Sequence, residues 1–387
     1  DVSRTLLVAA LALALALPAV PATAQQDDEP GLTAPELTAL GGVLYDPAAD
    51  QVLWGRREDV GIPMASTTKI MTTLLALEAG GLDETVEVSR EAAQAGGAGL
   101  GLRMGQRLPL RSLLAGLMLR SGNDAATAVA EHVAGTEEAF VARMNARARQ
   151  LGLSDTHFVN ASGLTDDREH RASPLDLARL TKAAMAHAEF ARWAGAPRLT
   201  VPGLAPMENR NELVGRYPGA TGVKTGYLSH AGFALVASAE REELTLYAVV
   251  LGSQDSFRDA ARILDWGYAR YRLARPAAAG AVAGRYRWAG ADTPLTAVRE
   301  LAAAVPRDAQ VAYRLRVRPL MALPVTAGTP LGEAELVAGG EVVATTPLVA
   351  GHDVAAPPPR DAPAEAGAAL QDGLRALARL HPGSAAA

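Results

Sequence analysis

The stretch Ile62–Met71, which reads IPMASTTKIM, places a serine and a lysine three residues apart at the start of a helical pattern. The apolar residues that follow recur at helical spacing as far as Leu77, and two glycines then end the pattern. Residues i and i+3 share one face of a helix, so the Ser66 hydroxyl and the Lys69 amine are expected to touch. A serine hydroxyl becomes a good nucleophile only when a neighbouring base removes its proton. The spacing therefore predicts an activated serine.

Lysine is rare in this chain. Of the 37 Lys and Arg residues only three are lysine, namely Lys69, Lys182 and Lys224. Arginine does not lose its proton, whereas a lysine can act as a base when burial or a nearby cation lowers its pKa. A Ser-x-x-Lys spacing taken alone is a frequent accident on surface helices. Two of the three lysines fall in motifs, however, which indicates a chemical use for both.

Two further motifs follow along the chain. Ser121-Gly122-Asn123 lies between two helical patterns, where a short polar turn would project the serine hydroxyl and the asparagine amide side by side. Lys224-Thr225-Gly226 opens a run of β-type segments. Period-2 alternation puts Lys224 and Gly226 on one face of a strand, and the glycine lets a ligand backbone approach closely. Ser-x-x-Lys, Ser-x-Asn and Lys-Thr-Gly in this order are the signature of penicillin-binding proteins and class A β-lactamases.

With these motifs the chain resembles the serine-type D-alanyl-D-alanine carboxypeptidases, the low-molecular-mass penicillin-binding proteins of peptidase family S11. The resemblance runs from about residue 40 to about residue 351. Stretches beyond the motifs carry it, namely FVARMN at 140–145, FVNASGL at 158–164, NRN at 209–211, KTGY at 224–227 and LDWGY at 264–268. A match of this extent implies the fold, the reaction and the site residues of the family.

The order of predicted elements indicates a mixed α/β domain at residues 39–272. Helices are predicted in its middle, at 110–119, 124–134, 137–151 and 174–187, and at its end, at 256–271. Strands are predicted near its two ends, at 42–45, 51–54, 221–228, 232–238 and 244–251. This order predicts a sheet whose terminal strands meet in space. The resemblance implies a β-lactamase/transpeptidase-like domain with an antiparallel five-stranded sheet flanked by helices. Because all three motifs fall in 39–272, we expect this domain to hold the whole active site.

A second, smaller domain is predicted at residues 280–350. There the sequence alternates at Val311, Tyr313, Leu315 and Val317 and continues in short β-type runs punctuated by Gly and Pro. This pattern predicts a small all-β C-terminal domain, and the family carries one. Residues 351–387 are rich in Ala and Pro and predict a flexible tail.

The N-terminal segment predicts export. In residues 1–24, Arg4 precedes an apolar run at 6–17, and small residues before Gln25 fit a cleavage site, as in a signal peptide. The run is shorter than the ~20 residues that span a bilayer. A polar linker is predicted at 25–38. The expected location is across the inner membrane, in the periplasm or at the outer face of the cytoplasmic membrane.

The C-terminal tail leaves one further contact open. Leu370, Leu374 and Leu377 recur at helical spacing with arginines nearby, and relatives often end in an amphipathic helix on the membrane surface. The segment here is short, lacks aromatic residues and contains Gly373. Peripheral membrane contact through the tail is therefore the minority expectation.

Charge and composition exclude other classes. The formal net charge of −5 argues against nucleic acid as a partner. The chain has no cysteine, which excludes disulfides and thiol catalysis, and its seven histidines include no pair at ligand spacing. No metal and no cofactor is expected. His230, just beyond Lys-Thr-Gly, is interpreted as a residue at the rim of the cleft.

The resemblance and the charges together suggest a mechanism. Ser66 attacks the carbonyl of a terminal D-Ala-D-Ala bond in a peptidoglycan stem peptide, and neutral Lys69 takes its proton. A β-lactam antibiotic would acylate the same serine. Like-charge repulsion from Lys224 is expected to lower the pKa of Lys69. Ser121 would relay a proton to the departing D-Ala amine, and Asn123 would hold the acyl chain.

Substrate binding is expected at the strand that carries Lys-Thr-Gly. By resemblance, the backbone N–H groups of Ser66 and Tyr227 hold the oxyanion, and Gly226 lets the substrate approach. The substrate ends in a carboxylate, for which Lys224, Thr225 and Arg210 are the candidates, since arginine can grip a carboxylate with two hydrogen bonds. A structural ion pair is the alternative role for Arg210.

Two alternatives to the carboxypeptidase remain. A class A β-lactamase deacylates with a water held by a glutamate, and the corresponding region here offers only Asp166–His170, without a Glu-x-x-Leu-Asn motif. Gly122 also replaces the Asp of Ser-Asp-Asn. A non-catalytic envelope-binding protein on the same fold is the other alternative. The intact motif residues argue against it.

Overall fold

The structure is a computed structural model that describes residues 34–288, 291–318 and 324–355. The predicted signal peptide, most of the predicted linker, and the tail with Leu370, Leu374 and Leu377 lie outside these residues. The α-helices of the described part are α1 (Lys69–Ala79), α2 (Arg90–Ala93), α3 (Leu110–Arg120), α4 (Asn123–Ala134), α5 (Glu137–Gln150), α6 (Pro174–Met185), α7 (Ala188–Gly195) and α8 (Ser256–Arg270). No helix among the described residues combines the length and the apolar character needed to cross a membrane.

The sheet of the first domain joins both ends of the domain sequence. The strands in this region are β1 (Gly41–Asp46), β2 (Gln51–Arg56), β3 (Ile62–Pro63), β4 (Thr85–Glu87), β5 (Arg107–Pro109), β6 (Arg171–Ala172), β7 (Arg198–Leu199), β8 (Met207–Glu208), β9 (Ala220–Leu228), β10 (Gly232–Arg241) and β11 (Leu244–Ser253). Five of them form an antiparallel sheet in the order β2-β1-β11-β10-β9. Val43 of β1 lies opposite Val249 of β11. The predicted mixed α/β fold with a five-stranded antiparallel sheet is confirmed.

Alternation along β11 divides the core into two layers. Leu246 and Val250 point into a cluster with Ile263 of α8, on one face of the sheet. Val249 and Leu251, on the other face, belong to the larger cluster that includes residues of α1 and α3–α7. The catalytic motifs lie on the side of this larger cluster.

The first strand after α8 begins at Tyr271 and opens the all-β part of the chain. Its strands are β12 (Tyr271–Ala277), β13 (Val282–Trp288), β14 (Ala291–Ala297), β15 (Leu301–Pro306), β16 (Val311–Val317), β17 (Pro330–Ala338) and β18 (Glu341–Ala350). Five of these form the sheet β13-β14-β18-β17-β16, and β12 pairs with β15. The predicted gap between the two domains, residues 273–279, therefore contains most of β12, which ends at Ala277 and is paired with β15.

The strand β15 packs against the first domain. Ala304 is buried in the same cluster as Leu44 and Leu264. Its N–H donates to the buried carboxylate of Asp46, at 2.6 Å. The boundaries 39–272 and 280–350 remain a prediction, but the contact between the two parts is intimate.

Candidate active site

Ser66 lies in a tight turn at the start of α1. Residues Ala65–Thr68 form a 3₁₀ helix, and α1 begins at Lys69. The sequence pattern predicted one continuous helical segment, but in the 3₁₀ turn side chains at i and i+3 eclipse, which brings Ser66 and Lys69 still closer. The hydroxyls of Thr67 and Thr68 donate to the carbonyls of Met64 and Ala65 and brace the turn.

Lys69 contacts three hydrogen-bond acceptors. Its Nζ lies 2.9 Å from Ser66 Oγ, 2.8 Å from Asn123 Oδ1 and 2.5 Å from the carbonyl oxygen of Ser162. These three satisfy an ammonium group completely. The oxygens of Asn123 and Ser162 can only accept, so they take both hydrogens when the amine is neutral. The lone pair then faces the Ser66 hydroxyl, which orients Lys69 as a base.

The surroundings of Lys69 favour the neutral amine. The side chain is fully buried. This burial is the main reason that the pKa of Lys69 lies well below its usual value, and the positive charges of Lys224 and Arg210 lower it further. Asp124 acts in the opposite direction. The expected pKa effect of Lys224 is present, but it is smaller than the effect of burial.

Ser121 and Asn123 stand at a sharp break between two helices. Ser121 ends α3 with a left-handed φ of 62°, and α4 begins at Asn123. The Asn123 amide donates to the Gly96 carbonyl at 2.7 Å while its oxygen accepts from Lys69. The sequence analysis predicted that Asn123 binds the acyl chain of the substrate. In the structure one amide hydrogen remains for that purpose, and the oxygen serves Lys69.

Lys224 and Gly226 face the nucleophile from β9. Lys224 is buried, and burial followed by the charge of Arg210 lowers its pKa to about 7. The sequence analysis used Lys224 as a positive charge beside Lys69 and for the substrate carboxylate, whereas this pKa leaves the free amine only partly charged near neutral pH. A Cβ on Gly226 would lie 3.0 Å from the Ser66 nitrogen and 2.9 Å from Ala65 Cβ. Glycine is therefore required for β9 to pass the turn that carries Ser66.

Tyr227, Thr225 and His230, which the sequence analysis also singled out, are exposed or partly exposed at the site. Tyr227 is 56% exposed and packs against the ring of Phe233 with centroids 4.7 Å apart. Thr225 lies between Lys224 and Gly226 on the partly exposed face of β9. His230 is exposed and lies 3.2 Å from Asp166, consistent with a residue at the rim.

Arg210 reaches the site from the segment before β9. Its backbone N–H donates to the Leu119 carbonyl near the end of α3. Its charge acts on both Lys69 and Lys224. Among the described residues no acidic side chain lies within ion-pair distance of its guanidinium, so the alternative of a structural ion pair finds no support there.

Two contributors were missed by the sequence analysis. The Ser162 carbonyl is a backbone group, and its only trace in the sequence is the following Gly163, whose φ is +81° and whose Cβ would meet the Ala65 oxygen. Asp124 accepts hydrogen bonds from the backbone N–H groups of Leu100 and Leu102. It thereby fixes the loop whose Gly96 carbonyl holds Asn123.

A buried lysine in hydrogen-bond contact with a serine, beside a Ser-x-Asn turn and a Lys-Thr-Gly strand, is the arrangement of the serine enzymes of the penicillin-binding protein and transpeptidase class. The family model for D-alanyl-D-alanine carboxypeptidases of peptidase family S11 matches residues 28–255. The chain belongs to this family, and the resemblance inferred from the sequence is confirmed.

Individual relatives agree. The chain is 34% identical to the D-alanyl-D-alanine carboxypeptidase DacF of Bacillus subtilis over 247 residues, which cover 60% of this chain and 63% of that protein. It is 33% identical to DacD of Salmonella typhimurium over 337 residues, 81% of this chain and 86% of that one. Penicillin-binding protein 5 of Haemophilus influenzae superposes with a TM-score of 0.73 at 27% identity, over 84% of this chain and all of that one.

Proposed function

We propose that Ser66 removes the terminal D-Ala from peptidoglycan pentapeptides through an acyl-enzyme and that β-lactams acylate the same oxygen. The observation that carries this proposal is the position of Lys69 Nζ, 2.9 Å from Ser66 Oγ with two obligate acceptors beside it. Family membership supplies the reaction class. The contacts of the individual residues support the roles proposed for them below.

In acylation, the Ser66 oxygen forms a bond to the carbonyl carbon of the penultimate D-Ala while its proton passes to Lys69. The tetrahedral intermediate then collapses, the C–N bond breaks, and the amine of the leaving D-Ala takes a proton. Ser121 is buried at the turn beside Asn123, and among the described residues its hydroxyl has no hydrogen-bond partner, so it is free to relay that proton. Water then hydrolyses the ester and restores Ser66.

Recognition of the substrate requires a cation for its terminal carboxylate. Lys224 Nζ donates to the Thr225 carbonyl at 3.0 Å, and its other hydrogens have no partner among the described residues. A bound carboxylate would raise the pKa of Lys224 and keep the amine charged. Thr225 and Arg210 complete the carboxylate site, and the N–H groups of Ser66 and Tyr227 hold the oxyanion.

The β-lactamase alternative fits this site less well. Its deacylation needs a carboxylate that holds water beside the serine. In the segment Asp166–Glu169 every side chain is exposed, and Asp166 is paired with His230 instead. Only His170 turns inward there, and it binds Thr68. A binding-only protein is disfavoured because the buried Lys69 amine lies 2.9 Å from the hydroxyl of the half-buried Ser66, a geometry suited to acylation.

The test is acylation of the mature chain by a fluorescent penicillin, with mass spectrometry of the adduct. We expect one adduct on a peptide that contains Ser66, together with D-Ala release from a diacetyl-Lys-D-Ala-D-Ala peptide. Ser66→Ala should lose both activities while its circular dichroism spectrum stays unchanged. An adduct at another serine would refute the assignment, and a folded wild type that never labels would favour the binding-only protein.

We further propose that residues 1–24 direct export to the periplasm or the outer face of the cytoplasmic membrane. The apolar run and the small residues before Gln25 support this proposal. Fractionation of cells that express the chain with and without residues 1–24 tests it, and equal export of both chains would contradict it. Membrane contact through the tail is tested by co-sedimentation with anionic vesicles, compared with a chain ending at residue 355.

A further inference from the structure

His170 is buried directly beneath the turn that carries Ser66. Its side chain is 1% exposed and is not used in the proposed reaction. Its Nε2 lies 2.7 Å from Thr68 Oγ1, and its Nδ1 lies 3.0 Å from the Val159 nitrogen. One imidazole therefore joins the nucleophile turn to the segment 159–163.

The partners of His170 determine its tautomer. The Val159 N–H can only donate, so Nδ1 must accept and carries no hydrogen. The Thr68 hydroxyl gives its single hydrogen to the Ala65 carbonyl, at 2.7 Å, so Nε2 must donate to Thr68. The network is satisfied only by a neutral ring with its proton on Nε2. A second proton on Nδ1 would face the Val159 N–H, donor against donor.

The electrostatic surroundings agree with a neutral ring. Burial, followed by the charges of His157 and Lys69, outweighs the attraction of Asp167 and lowers the pKa of His170 to about 4. The imidazole therefore stays neutral wherever Lys69 can act as a base near neutral pH. The phenyl ring of Phe158 packs edge-on against it, with centroids 6.1 Å apart.

The segment 159–163 matters because it delivers the Ser162 carbonyl to Lys69. Thr72 also holds this segment, by donating to the Ala161 carbonyl at 2.7 Å. Thr72 lies one turn further along α1, however, whereas Thr68 lies in the turn itself, next to Lys69. The hydrogen bonds of His170 therefore connect Thr68, the residue before Lys69, with the segment 159–163, whose Ser162 carbonyl accepts from Lys69.

We propose that His170 is a positioning residue for acylation: through Thr68 and Val159 it fixes the Ser162 carbonyl relative to Lys69 and so aims the amine at Ser66. This inference rests on the proposed function of Ser66 and Lys69. A shift of about 1 Å in such an arrangement can cost up to about 100-fold in rate. Loss of an acceptor for the ammonium form also lowers the pKa of the lysine further.

The experiment measures the second-order acylation rate by a fluorescent penicillin from pH 5 to 9 for His170→Asn, Thr68→Val and the double variant. Asn can still accept from Val159 but does not reach Thr68, whereas Val removes the hydroxyl with little change in shape. We expect each single variant to lose about 10- to 100-fold. The double variant should be no slower than the worse single variant, because both changes remove the hydrogen bond between Thr68 and His170 and Thr68→Val alone already removes the one to the Ala65 carbonyl as well. The acid limb of the pH–rate profile should move to lower pH, because the pKa of Lys69 falls when its ammonium form loses an acceptor.

Matched measurements separate the outcomes. Thr72→Val breaks the other tie, and its loss should add to that of His170→Asn. A merely structural role for His170 would lower the thermal unfolding temperature and scale the whole pH profile without moving its acid limb. Folded variants with wild-type rate and profile, or additive losses for His170→Asn and Thr68→Val, overturn the inference. A wild type that is not acylated at Ser66 would instead refute the proposed function.

Discussion

Lys69 and Lys224 are both buried amines, yet their hydrogen bonds suit different tasks. Lys69 has three acceptors, two of which can only accept, and this leaves its lone pair for Ser66. Lys224 has one acceptor, the Thr225 carbonyl, among the described residues. The first amine is arranged to take a proton, and the second is arranged to donate to a ligand.

Substitution by arginine should separate these two tasks. Arginine keeps charge and donors but cannot serve as a base. Lys69→Arg should therefore lose at least the ~10²–10⁴-fold typical of a general base. Lys224→Arg should keep measurable acylation, with its loss concentrated on substrates that end in a carboxylate. Lys182→Arg, on the exposed face of α6, should match the wild type.

The measurement is the second-order acylation rate of each variant, with circular dichroism as the check on folding. Wild-type rates for Lys69→Arg would overturn the assignment of Lys69 as the base. Complete inactivity of a folded Lys224→Arg would mean that its role is more than charge and hydrogen-bond donation, because the buried pocket would then require the smaller amine.

Arg210 gives a prediction about pH. Its charge helps to lower the pKa of Lys224 to about 7, so in the free enzyme Lys224 loses its proton as the pH rises through 7. Arg210→Gln removes that charge and should raise the pKa of Lys224. The alkaline limb of acylation by a carboxylate-bearing β-lactam should then move to higher pH, while the rate at pH 6 falls for lack of the guanidinium.

Arg210→Lys is the control for this pH effect, because it keeps the positive charge and should leave the limb near its original position. The pH–rate profiles of the three proteins decide the matter. An unmoved alkaline limb in Arg210→Gln would show that Arg210 does not control the protonation of Lys224 and acts, if at all, only on the substrate.

The sequence could point to candidate site residues because their side chains define the motifs. The structure brings Ser66, Lys69 and Asn123 into hydrogen-bond contact and places Lys224 near enough for its charge to act on Lys69, while the roles of these residues and of Ser121 stay predictions. The Ser162 carbonyl was missed because a backbone acceptor leaves no residue-type signal. The contact between Asn123 and Lys69 was missed because spacing within a motif says nothing about which of two amide atoms points where.

At the scale of elements, the 3₁₀ turn Ala65–Thr68 that carries Ser66 lies between two backbone segments, and each segment approaches it with a glycine. Gly226 of β9 abuts the Ser66 nitrogen, and Gly163 abuts the Ala65 carbonyl. The hydrophobic pattern predicted β9 and α1 correctly. It did not distinguish the 3₁₀ turn from the first turn of α1, since apolar spacing over four residues fits both.

Gly163→Ala tests this close approach. A Cβ at position 163 would lie 1.9 Å from the Ala65 oxygen, and the residue has a φ of +81°. Gly152→Ala is the matched control, because Gly152 has a φ of +71° but no heavy atom within 4 Å of its Cβ position. Left-handed backbone alone should cost each variant about 1 kcal/mol of unfolding free energy.

Only Gly163→Ala should lose more unfolding free energy than this, and only this variant should lose activity. The clash must displace either the turn or the segment with Ser162, so its acylation rate should fall by at least tenfold, in line with the sensitivity of such sites to small displacements. Gly152→Ala should be acylated like the wild type. Denaturant unfolding and acylation rates provide the comparison. Equal behaviour of the two variants would mean that the turn tolerates movement.

At the scale of the whole molecule, the chain has no spacer between the catalytic part and the all-β part. The strand β12 follows α8 directly and pairs with β15, about 30 residues further on. Alternation in the sequence predicted a small β domain. It gave no sign that β15 packs against β1, because a pairing between distant segments depends on three-dimensional contacts that no local pattern records.

A chain that ends at Arg270 tests what this junction contributes. Truncation at residue 272, the predicted end of the domain, would cut β12 in two, so the end of α8 is the better limit. The shortened chain loses Ala304, which leaves the core around Leu264 exposed and removes the N–H that binds the buried Asp46. Exposing this apolar surface to water costs free energy in proportion to its area, so the thermal unfolding temperature should fall.

Acylation of the shortened chain should nevertheless stay within a few-fold of the full mature chain at a temperature where both are folded, because every residue assigned to the site precedes residue 271. Asp46→Asn in the full chain is the matched variant, since it keeps an oxygen for the Ala304 N–H and should lose less stability than the truncation. An unchanged unfolding temperature would show that the catalytic part is independent of β15. A folded but unreactive truncation would show that the β domain completes the active site.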